Sequence, residues 1–338
     1  MGDSRRPTIK TVAARAGVGR TTVSRVLNGS PLVSPEARAA VMEAIAELNY
    51  VPNSVARSLV TSRTDSIALV IPESESRLGA EPYFSAIIRG VSLQLATTRV
   101  QLLLTLVRDQ RELDRLTEFL SARRVDGVLL VSVHRDDPLP GLLQELGLPT
   151  VLAGRRSPDE PLNHAHSDNV GGATEAVRHL LERGRRSIAT ITGPLDMEVG
   201  NSRLQGWADA LAEGGIEPDD ALVAPADFTE EGGRVAMRAL LERRPALDAV
   251  FAASDVMAAG ALAELNRRGR RVPDDVAVVG FDDSIVARHT DPPLTTVRQS
   301  VEEMGRTITR LLLQEIAEPG SAEKCVLLPT SLVVRDST

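Results

Sequence analysis

From Ser66 onward the chain alternates short apolar runs with segments of helical period, and it goes through that alternation twice. Ile67-Ala68-Leu69-Val70-Ile71, Gln101-Leu102-Leu103-Leu104-Thr105, Gly127-Val128-Leu129-Leu130-Val131 and Thr150-Val151-Leu152 are too short for buried helices. They lack the in-out alternation of a half-exposed sheet, so they read as parallel strands covered on both faces. Helical segments near 84–97, 110–123 and 139–146 separate them. A second series follows, with strands near 187–191, 221–224, 248–252 and 276–280 and helices near 171–183, 201–213, 230–243 and 256–268. Strand and helix in strict alternation build an α/β layer around a parallel sheet, so two series predict two lobes. Ligands of open parallel sheets bind beyond the carboxyl ends of the strands, which places the candidate site where the loops of both lobes meet.

The first 63 residues follow different rules. Thr8 is placed to cap a helix over residues 9–16, whose Ile9, Val12, Ala13 and Ala16 share one side, and Gly17 ends it. Val23, Val26 and Leu27 mark a second short helix, closed by Asn28-Gly29. Ser34-Pro35-Glu36 then supplies a cap, a first-turn proline and an acidic first turn for a third helix reaching about Leu48, with Val41, Ala44, Ile45 and Leu48 as its inner stripe. Two short helices joined at a glycine and braced by a third form a helix-turn-helix, whose second helix enters the DNA major groove. Arg20, Thr21 and Arg25 fall opposite that helix's apolar side, where an arginine can bond guanine O6 and N7 together. Thr22 and Ser24 are better placed for phosphates.

Charge follows the same division. Net charge is −7, yet residues 1–63 carry nine basic and four acidic groups, a net of +5 that leaves −12 for the rest. A basic head on an acidic body fits a DNA reader whose body is held off phosphate. Cys325 is the single cysteine, so no internal disulfide is available; with no histidines close to it in sequence, no metal site is expected, and a reducing cytoplasm is the natural setting. No stretch is long and apolar enough to span a bilayer and the N-terminus has no secretory pattern, so neither membrane partner nor export is expected.

The run from Val12 to Gly29, with Leu48-Asn49-Tyr50-Val51-Pro52-Asn53 and Ala56-Arg57-Ser58-Leu59 after it, resembles the head of the lactose-repressor/galactose-repressor family of bacterial regulators. The resemblance extends from Pro7 to about Arg335 and departs at Gly19, where the family usually has a serine that contacts phosphate. It implies a small all-α head and a two-lobed body of the periplasmic-binding-protein type. The expected division is a head over 1–52, a hinge over 53–65 and the body over 66–338. Within the body, one lobe takes about 66–165 and 299–323, the other about 166–298 and 324–338. By resemblance, DNA contacts fall to Thr8, Arg20, Thr21, Thr22, Ser24, Arg25, Asn28, Asn53 and Ala56, while Leu59 wedges into the minor groove and kinks the duplex.

In the body the resemblance assigns effector contacts to Arg203, read as opening a helix, to Asp282 after a strand, and to Phe228 as a platform for a sugar ring. Ser254, Asp255, His166, Gln299 and Tyr83 complete the candidate set. A guanidinium and a carboxylate facing one cleft can each engage two vicinal hydroxyls, as a sugar presents them. The resemblance implies a regulator of sugar-uptake or sugar-utilisation genes that binds a pseudo-palindromic duplex as a homodimer, with no cofactor and no enzymatic role; no leucine heptad follows the last strand to make a tetramer. A cellobiose-type or other plant-derived sugar is one effector class it allows. A purine or other corepressor is the alternative, and a transport receptor for sugars lacks support from the basic head.

Overall fold

The computed structural model describes residues 7–27, 30–50 and 63–338, which divide into two compact units, one ending at Thr64 and the other beginning at Asp65. The fold class expected from the sequence is the one found. In the first unit α1 (Ile9–Ala16), α2 (Arg20–Leu27) and α3 (Pro35–Glu47) are each too short to hold alone. They are tied together by Val12, Ala13, Val23, Val26, Val41 and Ala44, with Ile45 and Leu48 packed at the edge. Local chemistry sets the ends. The Thr8 hydroxyl accepts from the Thr11 amide at 3.3 Å and the Thr11 hydroxyl accepts from the Thr8 amide at 3.2 Å, while Gly17 takes the left-handed conformation (φ 67°).

The second unit holds two six-stranded sheets. The first runs β11-β5-β4-β3-β1-β2, built from β1 (Ser66–Ile71), β2 (Gln101–Leu106), β3 (Gly127–Val131), β4 (Thr150–Ala153), β5 (Asn163–Ser167) and β11 (Cys325–Leu328). The second runs β12-β10-β9-β8-β6-β7, from β6 (Ile188–Thr192), β7 (Val223–Pro225), β8 (Ala249–Ala252), β9 (Ala277–Asp282), β10 (Thr295–Gln299) and β12 (Thr330–Val333). Neighbours are parallel except β12, which runs antiparallel to β10. Helices α4 (Glu75–Ala80), α5 (Pro82–Leu95), α6 (Gln110–Ser121), α7 (Leu139–Glu145) and α12 (Val301–Ala317) flank the first sheet. Around the second lie α8 (Asn169–Glu182), α9 (Glu198–Glu213), α10 (Glu230–Arg243) and α11 (Asp255–Arg267). Trp207 on α9 is core: it is 2 % exposed and its indole N–H donates to the Ile188 carbonyl at 3.1 Å.

The chain passes between the lobes three times, at 167–169, 299–301 and 328–330. The last passage corrects the expected division. Residues 324–338 were assigned to the second lobe, but β11 pairs in parallel with β5 in the first sheet and only β12, beyond Pro329, joins the second. A second correction concerns β2, which is the edge of its sheet rather than a buried strand and leaves Leu103 and Leu104 exposed.

Helices α5 and α12 approach through glycine. A Cβ on Gly90 would stand 2.0 Å from the Glu302 carbonyl oxygen, and one on Gly305 would stand 2.4 Å from that of Ile87. Both obstacles are backbone, so side-chain rotation cannot relieve them. Gly90→Ala is therefore expected to cost about 3 kcal/mol or more in urea unfolding, at the upper end of overpacking changes.

Candidate functional site

In the helical unit, Thr8, Arg20, Thr21 and Arg25 are exposed, and Thr22 and Ser24 half-buried, as a helix with one face in the core requires. Arg15 is committed to Glu47 (2.7 Å) and Arg38 donates to the Ser30 carbonyl (2.6 Å). Among the described residues, neither Arg20 nor Arg25 has an ion-pair partner, so these guanidiniums are unspent. The Gly19 carbonyl accepts from the amides of Thr22 (2.9 Å) and Val23 (3.2 Å), so α2 starts without a side-chain cap from this position. Asn28, Asn53, Ala56 and Leu59 lie outside the described residues.

In the larger unit a cavity of about 150 Å³ lies between the lobes at the carboxyl ends of both sheets. Tyr83, His166, Arg203, Phe228, Ser254, Asp282 and Gln299 line it, so the fold brings seven of the eight effector candidates to one place. Asp255 is the exception. It is fully buried as the first residue of α11, and its carboxylate accepts from the Thr296 hydroxyl (2.5 Å) and the Ser284 amide (2.7 Å), so it braces the wall without lining it.

Arg203 does not open its helix. It sits in the second turn of α9, 4 % exposed, with its guanidinium 3.6 Å above the Phe281 ring. Its Nε donates to Asn169 Oδ1 (2.9 Å) and Nη1 to the Ala253 carbonyl (2.5 Å), while Nη1 is 3.6 Å from Asp282 Oδ1. Among the described residues Nη2 has no acceptor, which leaves two N–H groups for a ligand. Asp282 ends β9 and accepts from Gln299 Nε2 (2.5 Å), and Gln299 Oε1 accepts from the Ser167 hydroxyl (2.7 Å). Burial raises the Asp282 pKa and lowers that of Arg203, with their mutual attraction opposing both shifts. Phe228 precedes α10 with φ 65°, and its ring lies so close to Gly193 that a Cβ there would come within 2.2 Å of Cζ. The Ser254 hydroxyl caps α11 by accepting from the Met257 amide at 3.2 Å.

Sequence reasoning missed the opposite wall. On α4, Arg77 pairs with Glu73 and Glu81 at i,i+4 spacing and lies 5.4 Å from the Phe228 ring centroid across the cleft. The Glu-x3-Arg-x3-Glu pattern was legible, but such spacing is common on exposed helices and says nothing about a cavity. Two ion pairs also join the lobes at the rim: His134 Nδ1 to Asp196 (2.7 Å) and Arg155 to Glu198 (3.2 Å). The hydrogen bond to Glu73, with that to Asp196, raises the His134 pKa to about 9 against partial burial. The raised value means that the charged pair is complete below the ordinary histidine range and is lost as pH rises through about 9. Ligand affinity is thus expected to fall across that window, and titration of His134→Gln, which lacks the charge, should show a flat profile there.

The expectation of no metal site rested on the distance in sequence between Cys325 and any histidine. Parallel pairing of β11 with β5 sets Cys325 opposite His164, and the ligand atoms of His164, His166 and Cys325 lie within 4.8 Å of one another. Among the described residues no helix is long and apolar enough to cross a membrane.

Comparison with known proteins agrees with this architecture. Residues 8–53 match the model for bacterial regulatory proteins of the lacI family, and residues 177–338 match that for the periplasmic binding protein-like domain. The HTH-type transcriptional regulator CelR of Thermobifida fusca is 51 % identical over 339 residues, covering 100 % of both chains. The HTH-type transcriptional repressor CytR of Escherichia coli (strain K12) is 34 % identical, covering 98 % of this chain and 96 % of that one. Among solved structures, a CelR–cellobiose complex shares 49 % identity with a TM-score of 0.79, covering 98 % of this chain and 100 % of the other. A lac repressor dimer bound to operator and an anti-inducer shares 29 % identity with a TM-score of 0.86, covering 99 % of each chain. With a helix-turn-helix head, a two-lobed body and full-length relatives of this similarity, the chain belongs to the lacI family of bacterial DNA-binding transcriptional regulators.

Proposed function

We propose that the protein is a repressor that holds a pseudo-palindromic operator as a homodimer and releases it when a sugar of the cellobiose type enters the cavity between its lobes. The observation that carries the sugar assignment is the composition of the cavity wall: two N–H groups on Arg203 Nη2 that have no acceptor among the described residues, a carboxylate on Asp282 and a buried aromatic ring on Phe228. A pyranose offers the complement, with hydroxyls around its edge and C–H groups on its face. The similarity to a solved CelR–cellobiose complex supports a sugar of that type as the effector. The exposed Leu93, Leu103 and Leu104 on the first lobe offer apolar surface to a second copy, and paired heads match a two-fold operator. We assign no enzymatic role and place the protein in the cytoplasm, where it meets chromosomal DNA.

Release requires that the sugar bind the DNA-free form more tightly, and a coupling of roughly 1–3 kcal/mol is enough for regulation. Reciprocity then makes saturating operator weaken sugar binding by the same factor. The test measures melting temperature and operator affinity with cellobiose, other disaccharides, purines and nucleosides. Cellobiose at about one hundred times its Kd is expected to stabilise the fold by about 2.7 kcal/mol and to weaken operator binding. Stabilisation by a purine that tightens operator binding, with no response to any sugar, would sink the reading in favour of corepression.

A further inference from the structure

Beside the cavity, the strand β5 presents His164 and His166 on one face, and its partner β11 brings Cys325 into register with His164. His164 is 4 % exposed. Its Nδ1 lies 2.9 Å from the Leu162 carbonyl and donates to it, which fixes the proton there and leaves the Nε2 lone pair uncommitted. That Nε2 is buried and has no hydrogen-bond partner among the described residues. A buried imidazole nitrogen left unsatisfied carries a desolvation cost that an unmet partner explains. His166 Nδ1 stands 3.8 Å from Cys325 Sγ, and the two imidazole rings are 5.4 Å apart.

We propose that His164 Nε2, His166 Nδ1 and Cys325 Sγ form a binding site for a divalent transition metal of the zinc type. Two imidazoles and one thiolate suit zinc, which takes nitrogen at about 2.0–2.1 Å and sulfur at about 2.3 Å. Tetrahedral bonds of those lengths put nitrogen and sulfur about 3.5 Å apart, so the observed separations close with small side-chain rotations. The Leu162 carbonyl already stands in the outer position that orients a ligating histidine. Three protein ligands leave a fourth position open to water or a small ligand. Arg155 opposes a cation here, but Glu198 engages its charge at 3.2 Å. Cys325 is exposed on an edge strand, which gives the ion an entry path.

The test uses the full chain, without a histidine tag, freed of metal and kept reduced. Zn²⁺ uptake is measured by calorimetry, and Co²⁺ serves as a spectroscopic probe of thiolate ligation. The expected result is one ion per chain, a thiolate-to-cobalt band in the near ultraviolet and visible bands of tetrahedral intensity. Cys325→Ser is expected to lose the thiolate band and roughly tenfold or more in Zn²⁺ affinity while still binding operator. His164→Gln should lose similar affinity; if that variant does not fold, the Cys325→Ser result decides alone. No uptake near one ion per chain, or uptake and spectrum unchanged in Cys325→Ser, would overturn the proposal.

Discussion

Arg203→Ala is expected to yield a protein that still binds its operator and no longer responds to sugar, with effector affinity reduced about one hundredfold or more. Hydrogen bonds from a charged donor contribute roughly 1.5–3 kcal/mol each, and Nη2 offers two. The substitution also withdraws the positive charge beside Asp282 and strands the acceptors on Asn169 and Ala253. Some loss of stability will therefore accompany the loss of binding. Operator affinity separates the two effects, since the helical unit folds around its own core. Arg203→Lys keeps the charge but not the planar fork and should recover stability more than sugar binding. Operator release by sugar at wild-type concentrations in Arg203→Ala would refute the role given to this residue.

The second large effect is on DNA. Arg25→Ala is expected to reduce the preference for operator over random duplex at least tenfold, because one bidentate guanine contact contributes roughly 1–3 kcal/mol of discrimination and a two-fold operator has two. Binding to random sequence, which depends on phosphate charge, should change far less at fixed salt. Arg25 is exposed and has no ion-pair partner among the described residues, which motivates the prediction. Equal losses on both duplexes would make Arg25 a phosphate contact instead.

How far these sites were legible in the sequence depends on the kind of interaction. Helices α1 to α3 could be read because caps, glycine and apolar period act over a few residues. The central strands could be read because parallel strands covered on both faces must be apolar throughout. Strand β5 escaped for the opposite reason: Asn163, His164, His166 and Ser167 are polar, and only the pairing with β4 and β11 makes the segment a strand. The β11–β12 boundary was hidden because a single proline separates strands that belong to different sheets. Around the cavity, Asp282 and Asp255 look alike in sequence, each an acid that closes or closely follows an apolar strand run. Whether such a carboxylate faces a ligand or bonds inward depends on Thr296 and Ser284, far along the chain. The His164, His166 and Cys325 cluster was invisible for the same reason.

The three passages of chain between the lobes limit what a bound sugar can do. Joined by three neighbouring straps, the halves of the body cannot drift apart or slide freely, and swinging about the strapped edge is their one easy motion. Contact energy gathered at the cavity is thereby converted into a turn about a fixed axis. That gives a molecule of a few dozen atoms the leverage to reposition one whole lobe against the other.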